Sequence, residues 1–277
     1  MERLEAALEK ARASRQAAIE TAPTSRTASK SKRTARSGDV AELWHKLREI
    51  KVSTHAARKN RITSLFGPRA SGAHDVLRSR VLRLMHENAW KTLAITSPNP
   101  ACGKTTVATN LAFSMARQSD LKVLVLDLDL RRPAMHEVLG QKPKNSFHEV
   151  LEGKIRAEDQ LVRVGDNLIF GLNARNASRP SELLQSKLTR DRLHQLQQDY
   201  RPDIVIFDLP PMLSSDDNIG FLPNVDCGIL VNAAESTTIQ QLDTCEKELA
   251  ELTNVLGVVL NKCRFNDGNG SYDGEYY

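Results

Sequence analysis

The residues with the clearest chemical potential lie in one short segment. Residues 96–106 read Thr-Ser-Pro-Asn-Pro-Ala-Cys-Gly-Lys-Thr-Thr and stand between a strand-like apolar run and an alanine-rich helical run. In a loop that leads into a helix, backbone N–H groups and the positive end of the helix dipole attract phosphate. Lys104 would add a full charge at the β- and γ-phosphates, and the Thr105 hydroxyl would bind Mg²⁺. The segment therefore predicts a phosphate-binding loop.

This loop also predicts the contacts of a bound nucleotide. Pro98 stands where the usual P-loop motif has its first glycine, so the assignment depends on the Gly-Lys-Thr-Thr end and on the strand and helix around it. The candidate nucleotide-binding residues of the loop are Asn99, Pro100, Ala101, Cys102, Gly103, Lys104, Thr105 and Thr106.

Three aspartates follow other strand-like runs. Residues 123–126 lead into Asp127 and Asp129, and residues 204–207 lead into Asp208. Ligands of an open parallel sheet bind at the carboxyl ends of its strands, so these carboxylates are expected to face the loop, where they can orient Mg²⁺ and accept a proton. The candidate catalytic residues are Lys104, Asp127, Asp129 and Asp208, and the candidate Mg²⁺ ligands are Thr105, Asp127 and Asp208.

The elements around these residues alternate between strand-like and helical runs. Strands are predicted at residues 92–96, 122–128, 168–172, 204–208, 228–231 and 255–260, and helices at 73–87, 105–117, 181–199 and 238–252. Repeated β–α–β units of this kind are typical of a mostly parallel sheet that is flanked by helices. The predicted fold class is therefore α/β, of the P-loop NTPase type.

The segments before and after this domain have a different composition. We predict a helix at residues 2–20, a linker at 22–38 that holds five basic residues and no acid, and an apolar stripe of Leu43, Trp44, Leu47 and Ile50 that needs a partner surface. The predicted division is a helical and basic extension at 1–38, a helical docking segment at 39–70, the P-loop domain at 71–265 and a flexible tail at 266–277.

Composition restricts the class of protein further. Of the 277 residues 40% are hydrophobic and 26% charged, and no apolar run approaches the ~20 residues of a membrane helix. The net charge of +5 belongs to the N-terminal part, because residues 1–62 hold 15 Lys and Arg against 7 Asp and Glu. The basic residues are not interleaved with aromatic ones, so nucleic acid is not an expected partner. Four cysteines without CxxC spacing favour a reducing cytoplasm.

The three candidate segments resemble the Walker A, Walker A′ and Walker B motifs of bacterial tyrosine kinases, within the deviant-Walker ATPases. The resemblance covers roughly residues 60–265 and includes residues 129–133, Asp-Leu-Arg-Arg-Pro, and 180–184, Pro-Ser-Glu-Leu-Leu. These two segments are similar to sequences of the family branch that is associated with exopolysaccharide and exosortase loci. Two features depart from the family pattern. The family's assembly motif aligns with Gly72, Asp75 and Arg78, of which only Arg78 matches, and Leu209 replaces a Walker B hydroxyl.

The resemblance implies an autokinase that uses ATP and Mg²⁺ and regulates exopolysaccharide polymerisation and export. It implies Lys104 for phosphate, Thr105 and Asp208 for Mg²⁺, Asp127 and Asp129 for catalysis, and Asn261 beside the nucleotide base. The phosphate acceptors would be Tyr272, Tyr276 and Tyr277 in a glycine- and acid-rich tail. A membrane polysaccharide co-polymerase would act as activator. The protein would then be cytoplasmic, homo-oligomeric and recruited to the inner face of the plasma membrane.

Two other functions are compatible with the motifs. One is an ATPase switch of the chromosome-partitioning and division-site type, although Asn99 stands where that group has its signature lysine. The other is an ATP-binding partner of the membrane co-polymerase that transfers no phosphate. Phosphotyrosine on the tail distinguishes both from the autokinase.

Overall fold

The computed structural model describes residues 37–234 and 236–263. The strands in this part of the chain are β1 (Arg48–Glu49), β2 (Thr92–Thr96), β3 (Val123–Asp127), β4 (Val162–Val164), β5 (Leu168–Gly171), β6 (Ile204–Asp208), β7 (Cys227–Ala233) and β8 (Asn254–Asn261). The helices are α1 (Ser37–Lys46), α2 (Thr54–Lys59), α3 (Pro68–Glu87), α4 (Lys104–Ala116), α5 (Met135–Val138), α6 (Phe147–Leu151), α7 (Ala157–Gln160), α8 (Pro180–Gln185), α9 (Lys187–Tyr200), α10 (Asp217–Phe221) and α11 (Ile239–Leu252). Short 3₁₀ turns lie at Thr63–Leu65, Met212–Ser214 and Leu222–Asn224.

The strands form one sheet in the order β1-β4-β5-β3-β6-β2-β7-β8. Neighbouring strands run parallel except β4 and β5, which are antiparallel. Strands β3, β6 and β2 lie side by side, so the carboxyl ends that carry the candidate catalytic segments meet at one edge. The predicted α/β fold with a mostly parallel sheet is confirmed.

Two apolar layers cover the two faces of the sheet. Side chains alternate along each strand, so Leu124 and Leu126 of β3 join one layer, while Val123 and Val125 join the other. The first layer includes residues of α1, α6, α9 and α11, and the second includes residues of α3, α4 and α5. Strands β2, β3 and β6 are buried over their whole length, so the residues at their ends are held in fixed positions.

The apolar stripe at the start of the described chain packs inside the domain. Val40, Trp44 and Leu47 are buried in the first layer. The indole Nε1 of Trp44 donates a hydrogen bond of 2.7 Å to the carbonyl of Tyr200, at the end of α9. The sequence predicts that this stripe needs a partner surface, and in the structure the domain itself supplies that surface.

Strands β1 and β4 are absent from the sequence prediction. Helix α1 ends at Lys46, and Ile50 follows β1 instead of continuing the helical stripe. The N–H of Ile50 donates a hydrogen bond of 2.9 Å to the carbonyl of Arg163 in β4. A strand of two or three residues carries too short an alternation to be recognised locally, and it forms here because a distant strand pairs with it.

Helix α3 is tied to α4 by a partly buried network of polar side chains. Asp75 forms ion pairs with Arg117 and, at 3.6 Å, with Arg78, and it accepts a hydrogen bond of 2.6 Å from the Ser114 hydroxyl. Arg78 donates to the Ser114 carbonyl at 3.1 Å. Two of the three positions that align with the family's assembly motif therefore contact α4 of the same chain.

Several sequence predictions fall on other parts of the chain. The helix at residues 2–20, nearly all of the linker at 22–38 and the tyrosines of the tail lie outside the described residues. Within the described ranges, no helix is both long enough and apolar enough to cross a bilayer.

Candidate functional site

The loop between β2 and α4 has the backbone of an anion-binding turn. Ala101 and Gly103 have positive φ angles of 62° and 93°, and turns through this region bring successive N–H groups toward one centre. A Cβ atom at position 103 would collide with the side chain of Asn261. The backbone angle therefore favours glycine at this position, and a larger residue would also displace the Asn261 side chain.

Three of the candidate nucleotide-binding residues do not line the cavity at the loop. Asn261 donates a hydrogen bond of 2.9 Å from Nδ2 to the Cys102 carbonyl. Asn99 donates one of 3.1 Å from Nδ2 to Oε1 of Gln241 on α11. The three residues are Asn99, Cys102 and Asn261. The side chains of Asn99 and Asn261 instead hold the loop in place, the latter through the Cys102 carbonyl.

Lys104 is the centre of the site. It is buried, and its Nζ lies 2.9 Å from Oδ2 of Asp129 and 3.3 Å from Oδ1 of Asp208. Burial by itself lowers the pKa of Lys104, but the negative charges of Asp208 and Asp129 outweigh it and hold this pKa above its ordinary value. The lysine therefore stays positively charged.

Asp127 and Asp208 are the most deeply buried carboxylates of the site. They end β3 and β6 and stand opposite each other in register. Burial raises the pKa of both, and the charge of Asp208 raises that of Asp127 further, while Lys104 acts in the opposite direction on each. Oδ1 of Asp127 and Oδ2 of Asp208 have no hydrogen-bond partner among the described residues. Three carboxylates around one lysine leave a negative charge that a cation would balance.

A cation at this point would need ligands of more than one kind. Within the described residues, no group of three or more His, Cys, Asp or Glu side chains is arranged to hold a metal ion. The Thr105 hydroxyl is close to Asp208, with which it shares a hydrogen bond that opposes the rise in the Asp208 pKa. A hydroxyl, carboxylate oxygens and phosphate oxygens are together the ligands that Mg²⁺ takes in nucleotide sites.

A cavity of ≈ 610 Å³ opens over the loop, which is within the usual range for a small-molecule site. The loop and α4 line it with Pro100, Ala101, Gly103, Lys104, Thr105 and Thr106. The segments after β3 and β6 add Asp129, Arg131, Arg132, Ala134, Val138, Pro210, Pro211, Ser214 and Ser215. The structure thus brings the predicted lysine, the predicted hydroxyls and Asp129 to one cavity of sufficient size for nucleotide phosphates, while Asp208 contacts Lys104 without lining that cavity.

Two arginines of the cavity are missing from the predicted site. Arg131 and Arg132 line it together with Asp129, and Asp129 accepts a hydrogen bond of 3.1 Å from the Arg132 backbone N–H. Their position was a usable signal, because they follow the carboxyl end of β3 within five residues. The sequence alone assigns them no role.

Comparison with known proteins places the chain in a family. The model of the CobQ/CobB/MinD/ParA nucleotide-binding domain matches residues 93–273. The tyrosine-protein kinase YwqD of Bacillus subtilis is 30% identical over 218 residues, which cover 74% of this chain and 90% of YwqD. AmsA of Erwinia amylovora is 30% identical over 217 residues, which cover 76% of this chain but only 29% of AmsA.

The solved structures agree with the sequence comparisons. The kinase domain of the Escherichia coli tyrosine kinase ETK superposes with a TM-score of 0.63 at 30% identity, and the match covers 71% of this chain and 78% of that domain. The phosphate-binding loop, the aspartates at the strand ends and these matches all point to one family. The chain belongs to the bacterial tyrosine-protein kinases, within the CobQ/CobB/MinD/ParA group of nucleotide-binding domains.

Proposed function

We propose that this protein is an ATP-dependent tyrosine autokinase that regulates exopolysaccharide polymerisation and export. The observation that carries the proposal is the buried cluster of Lys104 with three aspartates at the edge of a nucleotide-sized cavity. The chain spans 29% of the length of AmsA, so the activity of a whole relative does not transfer automatically. Its match to 90% of YwqD, a protein named as a tyrosine-protein kinase, supports the kinase assignment.

The loop and Lys104 would bind the donor phosphates. Backbone N–H groups of residues 101–106 and the amino end of α4 offer hydrogen bonds and a partial positive charge. Lys104 adds a full positive charge, because its neighbours Asp208 and Asp129 keep its ammonium group protonated. A negative phosphate group entering the cavity would compete with Asp129 and Asp208 for this ammonium group.

The site fits Mg²⁺, because two buried carboxylate oxygens have no hydrogen-bond partner in the described part of the chain and the net charge of the cluster is negative. Thr105, Asp127 and Asp208 would hold the ion. When bound, it would neutralise charge that builds up on the donor phosphates during transfer.

Asp129 is the carboxylate best placed to accept a proton from the acceptor hydroxyl. It lines the cavity, whereas Asp127 and Asp208 lie beneath it and do not. This gives the three aspartates different tasks: the two deeper ones balance and hold the cation, and the outer one acts as general base.

The proposed acceptors are Tyr272, Tyr276 and Tyr277, which follow the last described strand by eleven to sixteen residues. The proposal includes transfer between copies in a homo-oligomer, with a membrane polysaccharide co-polymerase as activator at the inner face of the plasma membrane. What supports this part is the similarity to the named kinases and the acid- and tyrosine-rich composition of residues 271–277.

Mass spectrometry of the tail after incubation with Mg-ATP tests the proposal. We expect phosphate on at least one of the three tyrosines, and no phosphate with Lys104→Met, because the substitution removes the charge that binds the donor. Lys187→Met, on an exposed position of α9, is the matched control and should behave as wild type. The cytoplasmic segment of a co-polymerase is added in a second series.

ATP hydrolysis without phosphotyrosine in either series would refute the autokinase and favour an ATPase switch that works with the co-polymerase. Phosphotyrosine that persists in Lys104→Met would show that a different site, or a contaminating kinase, transfers the phosphate.

A further inference from the structure

Arg131 is held rigidly at the edge of the cavity by a buried carboxylate. Its Nε lies 2.7 Å from Oδ2 of Asp217 and its Nη2 lies 3.0 Å from Oδ1, so the contact is bidentate. Nη2 also donates a hydrogen bond of 2.9 Å to the Ser181 hydroxyl, and that hydroxyl in turn contacts Asp217. Arg131 follows β3, Ser181 lies in α8 and Asp217 begins α10. Three separate segments therefore fix one guanidinium group.

Asp217 is specialised for this contact. Its side chain is 0% exposed, whereas that of Arg131 is 44% exposed. Burial opposes ionisation of Asp217, yet the hydrogen bonds from Arg131 and Ser181 outweigh it and lower its pKa below the ordinary value. A fully buried, ionised carboxylate is costly to maintain unless it is well paired. The arginine is the exposed member of the pair, so the arrangement leaves its guanidinium group open to a ligand in the cavity.

The position of Arg131 suggests what it faces. It lines the cavity above Lys104 and also an adjoining cavity of ≈ 400 Å³ that Ser181, Gln185 and Asp216 line. The guanidinium group therefore stands at the boundary between the phosphate-binding cavity and a second space beside it. Its Nη1, on the edge away from Asp217, has no hydrogen-bond partner among the described residues.

Arg132, the next residue, provides an internal comparison. It lines the same cavity, and its backbone N–H is bound to Asp129. Among the described residues its guanidinium group has no ion-pair partner. Two adjacent arginines thus differ in one respect: one is fixed by a buried carboxylate and the other is not.

We propose that Arg131 is a catalytic residue that binds an oxygen of the transferred phosphoryl group through Nη1, and that Asp217 and Ser181 are its positioning residues. The inference rests on the proposed kinase function. In the step, the bond from the γ-phosphorus to the β,γ-bridging oxygen breaks and its electron pair stays on ADP. A phosphorus–oxygen bond to the tyrosine forms, and the phenolic proton passes to Asp129. A fixed cation beside the moving phosphoryl group stabilises the charge of this transition state without any reorganisation cost.

The test separates the rate of transfer from the binding of nucleotide. For Arg131→Ala we expect single-turnover tail phosphorylation about 10²–10³-fold slower than wild type, the loss typical of one preorganised transition-state contact. The affinity for a non-hydrolysable ATP analogue, measured by fluorescence titration, should change by less than about threefold. The reason is that the substitution removes a contact made in the transition state and leaves ground-state binding of the nucleotide in place. Free guanidinium ion should restore part of the rate in this variant only.

Two further variants test the positioning role. Asp217→Asn keeps the shape but weakens the hold on Arg131, and about a tenfold slower transfer is expected; Ser181→Ala provides the same test if Asp217→Asn fails to fold. Combining Asp217→Asn with Arg131→Ala should add little to the single arginine loss, since residues that act as a unit are not additive.

The matched control is Arg156→Ala. Arg156 makes the same two-bond contact with Asp159, at 3.0 and 3.2 Å, but on the exposed surface. It should leave the rate unchanged. The proposal is overturned if Arg131→Ala slows transfer no more than Arg132→Ala does, or if analogue affinity falls in parallel with the rate.

Failure of the kinase function would remain distinguishable. If wild type hydrolyses ATP but phosphorylates no tyrosine, the same variants are compared on hydrolysis, where water is the acceptor. If Arg131→Ala then slows ATP hydrolysis as it was expected to slow transfer, the role of the arginine is supported and only the tyrosine acceptor is refuted.

Discussion

The two ends of the central strands use the same residue type in opposite ways. At the amino end, Asp226 precedes β7 and accepts three hydrogen bonds on Oδ2: from the N–H groups of Lys91 and Thr92, at 2.8 and 2.9 Å, and from the Thr92 hydroxyl, at 2.8 Å. Asp203 precedes β6 and accepts one of 2.8 Å from the N–H of Lys122. Both carboxylates bind the start of a neighbouring strand.

At the carboxyl end of the sheet the aspartates are buried together and incompletely paired. Asp127 and Asp208 each keep one oxygen without a partner among the described residues, and burial raises the pKa of both. Strand β6 has one aspartate of each kind, Asp203 before it and Asp208 at its end. A carboxylate that accepts hydrogen bonds from backbone N–H groups stabilises the fold. One that is buried with an unpaired oxygen is costly to the fold and available to a ligand.

The largest expected effect concerns Asp129, at the carboxyl end. Asp129→Asn cannot accept the proton of the acceptor hydroxyl, so we expect single-turnover tail phosphorylation to slow by about 10²–10⁴-fold, the usual contribution of a general base. Asp203→Asn, at the opposite end of the sheet, is the control and should transfer phosphate at the wild-type rate. A loss of only a few-fold in Asp129→Asn would assign proton transfer to another group.

A smaller effect is expected at the amino end, on stability instead of rate. Asp226→Ala leaves two backbone N–H groups and a hydroxyl without their acceptor, which should lower the free energy of unfolding by about 1–3 kcal/mol in a urea titration. Asp243→Ala is the control, because this residue forms an exposed ion pair of 2.8 Å with Lys247; a change below about 0.5 kcal/mol is expected there. Equal stability of the two variants would contradict the comparison.

The smallest expected effect is a gain of stability in Asp127→Asn, without nucleotide and with a chelator present. The raised pKa of Asp127 means that the folded state holds its proton more tightly than the unfolded chain, so wild-type stability falls as pH rises from the ordinary carboxyl range through the raised pKa. Asparagine carries no charge and keeps an acceptor for the N–H of Met135, which Asp127 binds at 3.2 Å.

The melting temperature of Asp127→Asn at neutral pH should therefore exceed that of wild type by about 2–4 °C, which corresponds to about 1 kcal/mol in a domain of this size. The difference should shrink as the pH falls below about 4, where the Asp127 carboxyl of the unfolded chain also becomes protonated. Asp120→Asn, on an exposed loop position, should show no gain. A difference that does not vary with pH would attribute the effect to packing instead of charge.

Much of the fold and of the site could be predicted because the relevant signals are local. Strands β2 and β6 were predicted with the bounds that the structure has, since a short apolar run between turn residues needs no partner to be recognised. Lys104 follows from its place between strand and helix, and the aspartates follow from the rule that parallel strands present their carboxyl ends together. The sequence by itself thus determined the sheet class, the phosphate-binding loop and the charged residues around it.

Only the tertiary structure decided where long-range contacts lead. Asn261 braces the Cys102 carbonyl across 159 positions, and Asp217 fixes Arg131 across 86. The stripe of Trp44 is covered by the domain itself, although its spacing alone is equally compatible with an external partner. Periodicity and motif spacing report which face of an element is apolar or charged. Which distant element covers that face depends on strand order and packing, and those are properties of the assembled sheet.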